Sequence, residues 1–527
     1  MVANAATIEQ MSASEGIVPQ EIELKFALAG WRAEQALQRL SQHPLLRRRK
    51  RQQQRLINRY YDTPDGWLRQ QRCALRIRAI EPPPGAAGVP SGAARPVRTY
   101  EQTLKTAGSG HGALSVRGEW TAPLRRPALD EAALRSTPLA QDPAFDTQVR
   151  ALQPVHETRC VRTTWVVRSR DGSVVEVALD AGDIRAAGRR APLLELELEL
   201  LRGDADALIA MAEALAQHLP LLPARISKAE QAQRLADGTH DAPITARALD
   251  LPRAADPACV ARAALGDALG QLCDNLALAA RSDAPEAIHQ ARVGWRRWRS
   301  LLRLLRPWLP PPPAMQALRP LLDTLGTVRD LDVARTETLA EWGPLYVEDE
   351  SAHPERVRAV ERAQQQLARG AHQARRALRA QLGDPAITAA LVACAAWLQQ
   401  LPAQVDADPD WGIERLARWH ARLQRHLRTA DPAQPGAAEA LHEARLLAKR
   451  LRYGSEALSP TLPGRAARRL QRWQRDARGW QTRIGRWRDL LRAAQLLEGP
   501  RAAPPSRALA AFLRGAAVAG QRAEIAA

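Results

Sequence analysis

Two acids and a lysine alternate with aliphatic residues over Glu21-Ile22-Glu23-Leu24-Lys25. Strand side chains alternate between faces, so Glu21, Glu23 and Lys25 share one face and Ile22, Leu24 and Phe26 the other. On an ordinary half-buried strand the charged face simply meets water. The pattern returns, however, at Leu75-Arg76-Ile77-Arg78, at Val175-Glu176-Val177-Ala178-Leu179-Asp180 and at Glu195-Leu196-Glu197-Leu198-Glu199-Leu200. Gln102-Thr103-Leu104-Lys105 and Arg117-Gly118-Glu119-Trp120 read as further strands of the same kind. A closed antiparallel barrel gathers such charged faces into one lumen and packs the apolar faces outward against helices. A lumen holding both carboxylates and Arg/Lys suits a divalent cation held together with phosphate. Carboxylate oxygens take hard cations, while guanidinium and ammonium groups take phosphate oxygens.

Taken in order, Glu21-x-Glu23-x-Lys25, Tyr60-Tyr61-Asp62-Thr63-Pro64, Leu75-Arg76-Ile77-Arg78, Thr103-Leu104-Lys105, Arg162-Thr163-Thr164-Trp165, the acidic strand and Ser227-Lys228 resemble the CYTH proteins, or triphosphate tunnel metalloenzymes. The resemblance spans residues 19–235. It implies an α+β domain: a closed antiparallel β-barrel tunnel with flanking helices. It also implies metal-dependent hydrolysis of a triphosphate, with Glu21, Glu23 and Lys25 catalytic. Lys25, Arg76, Arg78, Lys105, Arg162 and Lys228 would bind substrate, with Arg117 as an addition. Glu21, Glu23, Asp180, Glu197 and Glu199 would hold Mg²⁺ or Mn²⁺, and Glu195 lies in phase beside them. Which pair among Glu195, Glu197 and Glu199 takes metal stays open. For Glu119 and Glu176 an outward-facing role as ion-pair partners is preferred over a ligand role.

At 527 residues the chain is too long for one ordinary core, so at least two domains are expected. Of the formal charge of +19, a net +14 falls in residues 251–527, which hold 42 Lys+Arg and 28 Asp+Glu. The C-terminal half is therefore the better candidate for binding a polyanion. Cys73, Cys160, Cys259, Cys273 and Cys394 form no CxxC pair, which argues against a zinc or disulfide framework. No basic-apolar leader and no apolar run of about 18 residues stands out, so a cytoplasmic protein with no membrane partner is expected.

From Gln20 to Leu200 short alternating runs dominate, with helices expected over 31–40 and 205–218 and a flexible loop over 82–96. Residues 236–254 read as a linker. Beyond it, helical Ala/Leu/Arg periodicity runs through 255–520, broken at 307–313, 406–410, 432–436 and 460–464. This all-α part contains a repeat. His289-x-x-Arg292-x-x-x-Arg296-Arg297-x-Arg299 matches His442-x-x-Arg445-x-x-x-Lys449-Arg450-x-Arg452, and Leu325-Gly326-x-x-Arg329-Asp330 matches Ile484-Gly485-x-x-Arg488-Asp489. Two repeated helical bundles are implied. On a helix, His289, Arg292, Arg296 and Arg299 share a face, as do His442, Arg445, Lys449 and Arg452. Clustered like charges repel, and a multivalent anion relieves that repulsion.

These stripes and the two Gly-x-x-Arg-Asp turns resemble the CHAD domain, a helical module associated with inorganic polyphosphate. The resemblance implies that the eight stripe residues contact the polyphosphate chain, and with it an association with polyphosphate granules. For Arg329-Asp330 and Arg488-Asp489, helix-cap ion pairs are the preferred reading. Trp295, Trp298, Trp473 and Trp487 are read as core or groove walls. The leading function is then hydrolysis of inorganic triphosphate beside a polyphosphate-holding domain. Thiamine triphosphatase and a non-catalytic polyphosphate-binding protein are the alternatives. An adenylate cyclase is disfavoured, because Glu15 and Gly16 stand where class IV cyclases carry His-Phe. Nucleic acid is disfavoured for want of a recognition motif.

Overall fold

A computed structural model describes residues 20–82, 98–108, 114–348, 353–408, 410–429, 437–498 and 504–526. Most of the loop expected at 82–96, the break at 432–436, and Glu15 and Gly16 lie outside the described residues. The chain divides into two compact units, Met1–Ala242 and Pro243–Ala527.

In the first unit β1 (Gln20–Ala27), β2 (Arg51–Asp62), β3 (Ala74–Glu81), β4 (Thr99–Lys105), β5 (Leu114–Leu124), β6 (Gln153–Arg168), β7 (Val174–Ala186) and β8 (Arg189–Arg202) form one antiparallel sheet. Its order is β5-β4-β3-β2-β6-β7-β8-β1, and β1 pairs again with β5, so the sheet closes into a barrel. A two-residue strand, β9 (Leu222–Pro223), adds to the edge of β1. Closure is what lets charged and apolar residues alternate along one strand while both are buried. Glu21, Glu23 and Lys25 are as buried as Leu24 and Phe26.

Helix α1 (Ala33–Gln42) follows β1, and α2 (Ala205–Ala216) packs outside β1 and β8, where Leu24, Phe26, Leu196 and Leu198 are buried. A later helix, labelled α3 (Lys228–Ala236), behaves differently. It packs against β6, β7 and β8. Leu56, Cys160, Ile184, Ala186, Ala191 and Leu193 cluster with its Ala232 and Leu235. By strand alternation these residues lie on the same inward face as Asn58, Arg162, Asp180 and Glu195. The interior is therefore charged only in part, and its remainder is an apolar floor built on α3.

One glycine is required for that inward packing. A Cβ on Gly182 would stand 1.9 Å from the Arg159 carbonyl oxygen and 2.6 Å from Cys160 Cα. Such approaches to backbone cannot be relieved by a rotamer change.

The second unit is helical: α4 (Pro257–Arg281), α5 (Pro285–Leu305), α6 (Arg319–Val333), α7 (Pro354–Leu382), α8 (Pro385–Gln399), α9 (Trp411–Thr429), α10 (Ala437–Leu458), α11 (Gly464–Leu497) and α12 (Pro504–Ala526). After α6 the chain passes through a π-helical stretch, Ala334–Thr338, into Leu339–Val347. The stripe helices α5 and α10 pack against each other. Elements of both repeats share one core: Leu331 of α6 joins Leu490, Ala494 and Leu497 of α11, and Leu509 and Leu513 of α12. Residues 243–254, the later part of the stretch expected as linker, belong to this unit. Asn275 of α4 holds both the N–H and the carbonyl of Ile244, at 3.0 and 2.8 Å, and Ala255 is buried. No single helix among the described residues is long and apolar enough to cross a membrane.

Gly182→Val is expected to cost about 1–3 kcal/mol as an overpacked site, lowering the melting temperature of the barrel unit. Calorimetry of the purified variant checks this, and an unchanged transition would refute the close-approach assignment.

Candidate functional site

Register places the barrel charges. Lys25 stands opposite Glu197 and Glu23 opposite Glu199 across β1 and β8. Asp180 faces Glu195 across β7 and β8, and Arg162 faces Asp180 across β6 and β7. Arg162 donates to both Asp180 oxygens at 2.8 and 2.6 Å and to Glu197 Oε2 at 2.6 Å. Ser227 caps α3 by accepting from Glu230 N, and the helix begins at Lys228. Its ammonium meets Asp180 at 2.8 Å, Glu197 at 2.6 Å and Glu195 closer still. A helix N-terminus at this point adds positive potential to that of the lysine itself.

A second cluster lies beside the first. Glu21 accepts from Lys105 at 2.7 Å and from Arg117 at 2.8 Å, and Arg117 also donates to Glu23 at 2.5 Å. Lys25 bridges the two clusters, 3.7 Å from Glu23 and 3.4 Å from Glu197. Arg78 donates to Asn58 at 2.7 Å and to Glu101 at 3.1 Å, while Arg76 lies 3.9 Å from Glu119.

Burial alone would neutralise these acids, but their partners win. Burial pushes Asp180 up, yet Arg162 and Lys228 hold it well below the usual carboxylate range. Glu197 is likewise held low by Lys228, Lys25 and Arg162 against its burial, and Glu21 by Lys105 and Arg117. Lys228 moves the other way: burial lowers it, but its three acids raise it well above the ordinary lysine value. Glu199 differs from its neighbours. Burial, reinforced by repulsion from Glu21 and opposed by Lys105, pushes it to about 7.

Asp180, Glu195 and Glu197 offer oxygens within 4.8 Å of one another, a hard donor set that fits Mg²⁺ or Mn²⁺. Glu199 is outside this triad, because register sets it opposite Glu176 and Glu23 rather than beside Asp180.

In the helical unit, one cationic surface is assembled from both repeats. Arg292 feels Arg296, Arg329 and Arg488, and Arg445 feels Arg488, Arg296 and Arg292. Burial and then Arg488 pull Arg445 down to about 10. Burial and then Arg445, Arg296 and Arg488 pull Lys449 to about 6, so its amine is largely neutral at pH 7. Burial and then Arg329 lower His289 to about 4, whereas His442 is exposed. Arg299 is also exposed, and Arg452 donates to Gln481 at 3.4 Å.

Residues 19–232 match the CYTH domain and residues 263–498 the CHAD domain. The chain is a CYTH domain followed by a CHAD domain. An inorganic triphosphatase from Haemophilus influenzae is 32% identical over 219 residues, which cover 41% of this chain and 55% of that protein. The chain thus spans about half the length of that curated relative. Among solved structures, the CHAD domain of the plant Ricinus communis is 25% identical over 53% of this chain and 91% of that one, with a TM-score of 0.44. A Hippeastrum protein described as having a dominant triphosphatase activity is 19% identical over 40% of this chain and 95% of that one, with a TM-score of 0.29.

Three features of the two domains differ from the sequence expectations. Glu119 and Glu176 face the CYTH chamber rather than solvent: Glu119 pairs with Lys105 at 3.3 Å, and Glu176 feels Arg162 and Asp180. Both sit at the parity of inward residues, Glu119 two places from Arg117 and Glu176 four from Asp180. The two Gly-x-x-Arg-Asp segments of the CHAD domain are neither turns nor caps. Each lies inside a helix, α6 or α11, because flanking Leu325, Leu331, Ile484 and Leu490 continue the apolar stripe. Arg329 and Arg488 consequently join the cationic face, and Asp330 accepts from Arg492 of the other repeat at 2.8 Å. Their occurrence at equivalent places in both repeats was the signal available for that role. Trp298, Trp473 and Trp487 are buried core, as read.

Lys228→Met should cost about 3–5 kcal/mol by stranding three buried carboxylates. Mn²⁺ should restore part of the lost melting temperature, since a cation in the triad replaces the ammonium; a variant as stable as wild type with no Mn²⁺ response would refute the arrangement. Glu199→Gln should act on pH dependence instead. A carboxyl raised from 4.5 to about 7 destabilises the fold increasingly as pH rises through that window. The variant should therefore melt higher than wild type at pH 8 and equally at pH 4, and the reverse pattern would overturn the assignment.

Proposed function

We propose that the CYTH barrel hydrolyses inorganic triphosphate with Mg²⁺ or Mn²⁺, and that the CHAD domain holds inorganic polyphosphate. The observation carrying the first half is the pairing, inside one barrel chamber, of seven cationic side chains with carboxylates in a hard-cation geometry. Lys25, Arg76, Arg78, Lys105, Arg117, Arg162 and Lys228 can neutralise a compact, highly charged phosphate chain. A carboxylate row serves no purpose for anion binding alone, and this favours turnover over mere retention. The 32% identity to an inorganic triphosphatase supports the same reading.

Asp180, Glu195 and Glu197 would hold one ion, with Glu21 and Glu23 placed to hold another. Bound Mg²⁺ or Mn²⁺ supplies Lewis-acid polarisation of phosphate oxygens and a water of lowered pKa. The protein's share is electrostatic and positional. Arg162 and Lys228 already sit on the triad carboxylates, so they are poised to turn from acids to phosphate oxygens once those acids are otherwise engaged. Arg76 and Arg78 approach from β3 across the chamber, which sets substrate between two cationic walls. A phosphoryl transition state of loose character gains most from such preorganised charge, and no Ser or Cys nucleophile is needed.

For the CHAD domain the supporting observation is one face, built from two repeats, on which half-buried and exposed cations repel each other without enough acids to balance them. A linear polyanion relieves that repulsion and releases its own counterions.

Phosphate release should be fastest with tripolyphosphate, slower with thiamine triphosphate and ATP, and lost in EDTA. Glu21→Gln should abolish release while sparing polyphosphate retention; full activity in that variant would reject the metal assignment. Reversal of Arg292 and Arg445 to Glu should abolish retention. Because Lys449 lies near 6 without ligand and should regain its proton against a polyanion, wild-type affinity should strengthen as pH falls from 8 to 6, with proton uptake in calorimetry. Pure buffer-independent binding would contradict this.

A further inference from the structure

We infer that the solvent side of the first half of α11 is a second anion track, which continues the CHAD face and takes the part of a long polyphosphate chain that the face itself cannot hold. The inference rests on the polyphosphate reading above and extends it to chain length.

Between Gly464 and Arg483 the chain carries seven arginines and one acid, Asp476. Two of the arginines are occupied: Arg469 lies over the Trp473 ring and Arg483 over Trp480, each at 4.5 Å. The other five, Arg465, Arg468, Arg472, Arg475 and Arg478, line a trough of about 830 Å³ together with Gln471 and Gln474. All five are exposed, and none makes an ion pair among the described residues. The opposite side of the helix is anchored in the core by Leu470, Trp473 and Ala477. The helix is thus held by one side and presents unpaired guanidinium groups on the other.

The internal repeat sharpens the point. Gly326 of the first half corresponds to Gly485 of the second, an offset of 159. The same offset sets 464–477 against 305–318, which contain Pro307 and the run Pro310 to Pro313 and end in the 3₁₀ turn Gln316–Leu318. The second half therefore has extra helix where the first has a proline-rich break. Four of the five free arginines lie on this addition, so they are surplus to the symmetric stripes.

Position ties the addition to the cationic face of the two stripes. Arg452, the last residue of the second stripe, donates to Gln481 of α11, and Arg478 lies one turn earlier on the same side. From Arg465 to Arg488 the row extends about 35 Å along the helix. A linear chain can follow it, whereas a compact triphosphate cannot. At one end the row meets Arg292, Arg445 and Lys449, which are half-buried. A bare phosphate strand reaches such recessed groups more readily than a double helix, and this favours polyphosphate over nucleic acid as the occupant.

The test compares the full chain with its Arg468→Gln/Arg472→Gln/Arg475→Gln variant, in EDTA to prevent turnover. Glutamine keeps helix propensity, and circular dichroism checks the fold. Affinity for long-chain polyphosphate should fall at least tenfold. The slope of log affinity against log salt should shrink by about 2, from about 0.7 per lost phosphate contact. Affinity for short chains should stay unchanged. Equal long-chain affinity in variant and wild type, with the Arg292→Glu/Arg445→Glu protein failing to bind, would overturn the track and leave the polyphosphate reading standing. Binding that survives in both would remove that reading itself. Loss of RNA or DNA retention with intact polyphosphate binding would assign the trough to nucleic acid and overturn the inference.

Discussion

Charge buried without a matching opposite charge is what a barrel of this kind must avoid, and most of the CYTH chamber follows from that constraint. Taking a carboxylate or an ammonium out of water is costly, so each must find a partner where strand register puts it. Lys228 satisfies three carboxylates at once, and Arg162 two of the same three. The result is a chamber in which Asp180, Glu197 and Glu21 stay ionised despite burial. The same groups that would bind cation and phosphate already hold each other in place, which preorganises the site without leaving it empty of counter-charge.

The CHAD domain handles charge in the opposite way. Its face concentrates cations and offers few acids, and burial together with that repulsion shifts His289, Arg292, Arg445 and Lys449 toward neutrality. Lys449 is the extreme case, lowered by burial and by four arginines around it. Elsewhere the same domain balances its buried charges: Arg297 meets Asp267 at 2.7 Å and Arg375 meets Asp332 at 2.7 Å. Along the stripes and the first half of α11 cations outnumber acids instead. That contrast within one domain marks the cationic surface as distinct from its ordinary structural ion pairs.

Much of this was legible along the chain. Period-two charge identified six of the eight strands that close the barrel, all but β2 and β6, and the inward rows that hold Glu21, Lys25, Arg76 and Asp180. The duplicated His-x-x-Arg stripes identified two helical halves. Other features were hidden because they depend on neighbours far away in sequence. Glu195 and Glu199 differ by two strand repeats and look alike, yet only Glu195 lies across from Asp180. Cys160, Ile184 and Leu193 lie in the same inward rows as the charged residues, but their role as an apolar floor exists only because α3 packs back onto them.

Local alternation determined that this chain would have strands with one charged face, and helical spacing determined its cationic stripes, since both follow from backbone periods of 2 and 3.6. Tertiary structure alone decided which acids share a cation-sized space, that Arg329 and Arg488 are mid-helix members of the cationic face, and which of the many arginines remain unpaired. Those outcomes turn on strand register and helix packing, where a displacement of one residue exchanges a buried partner for solvent.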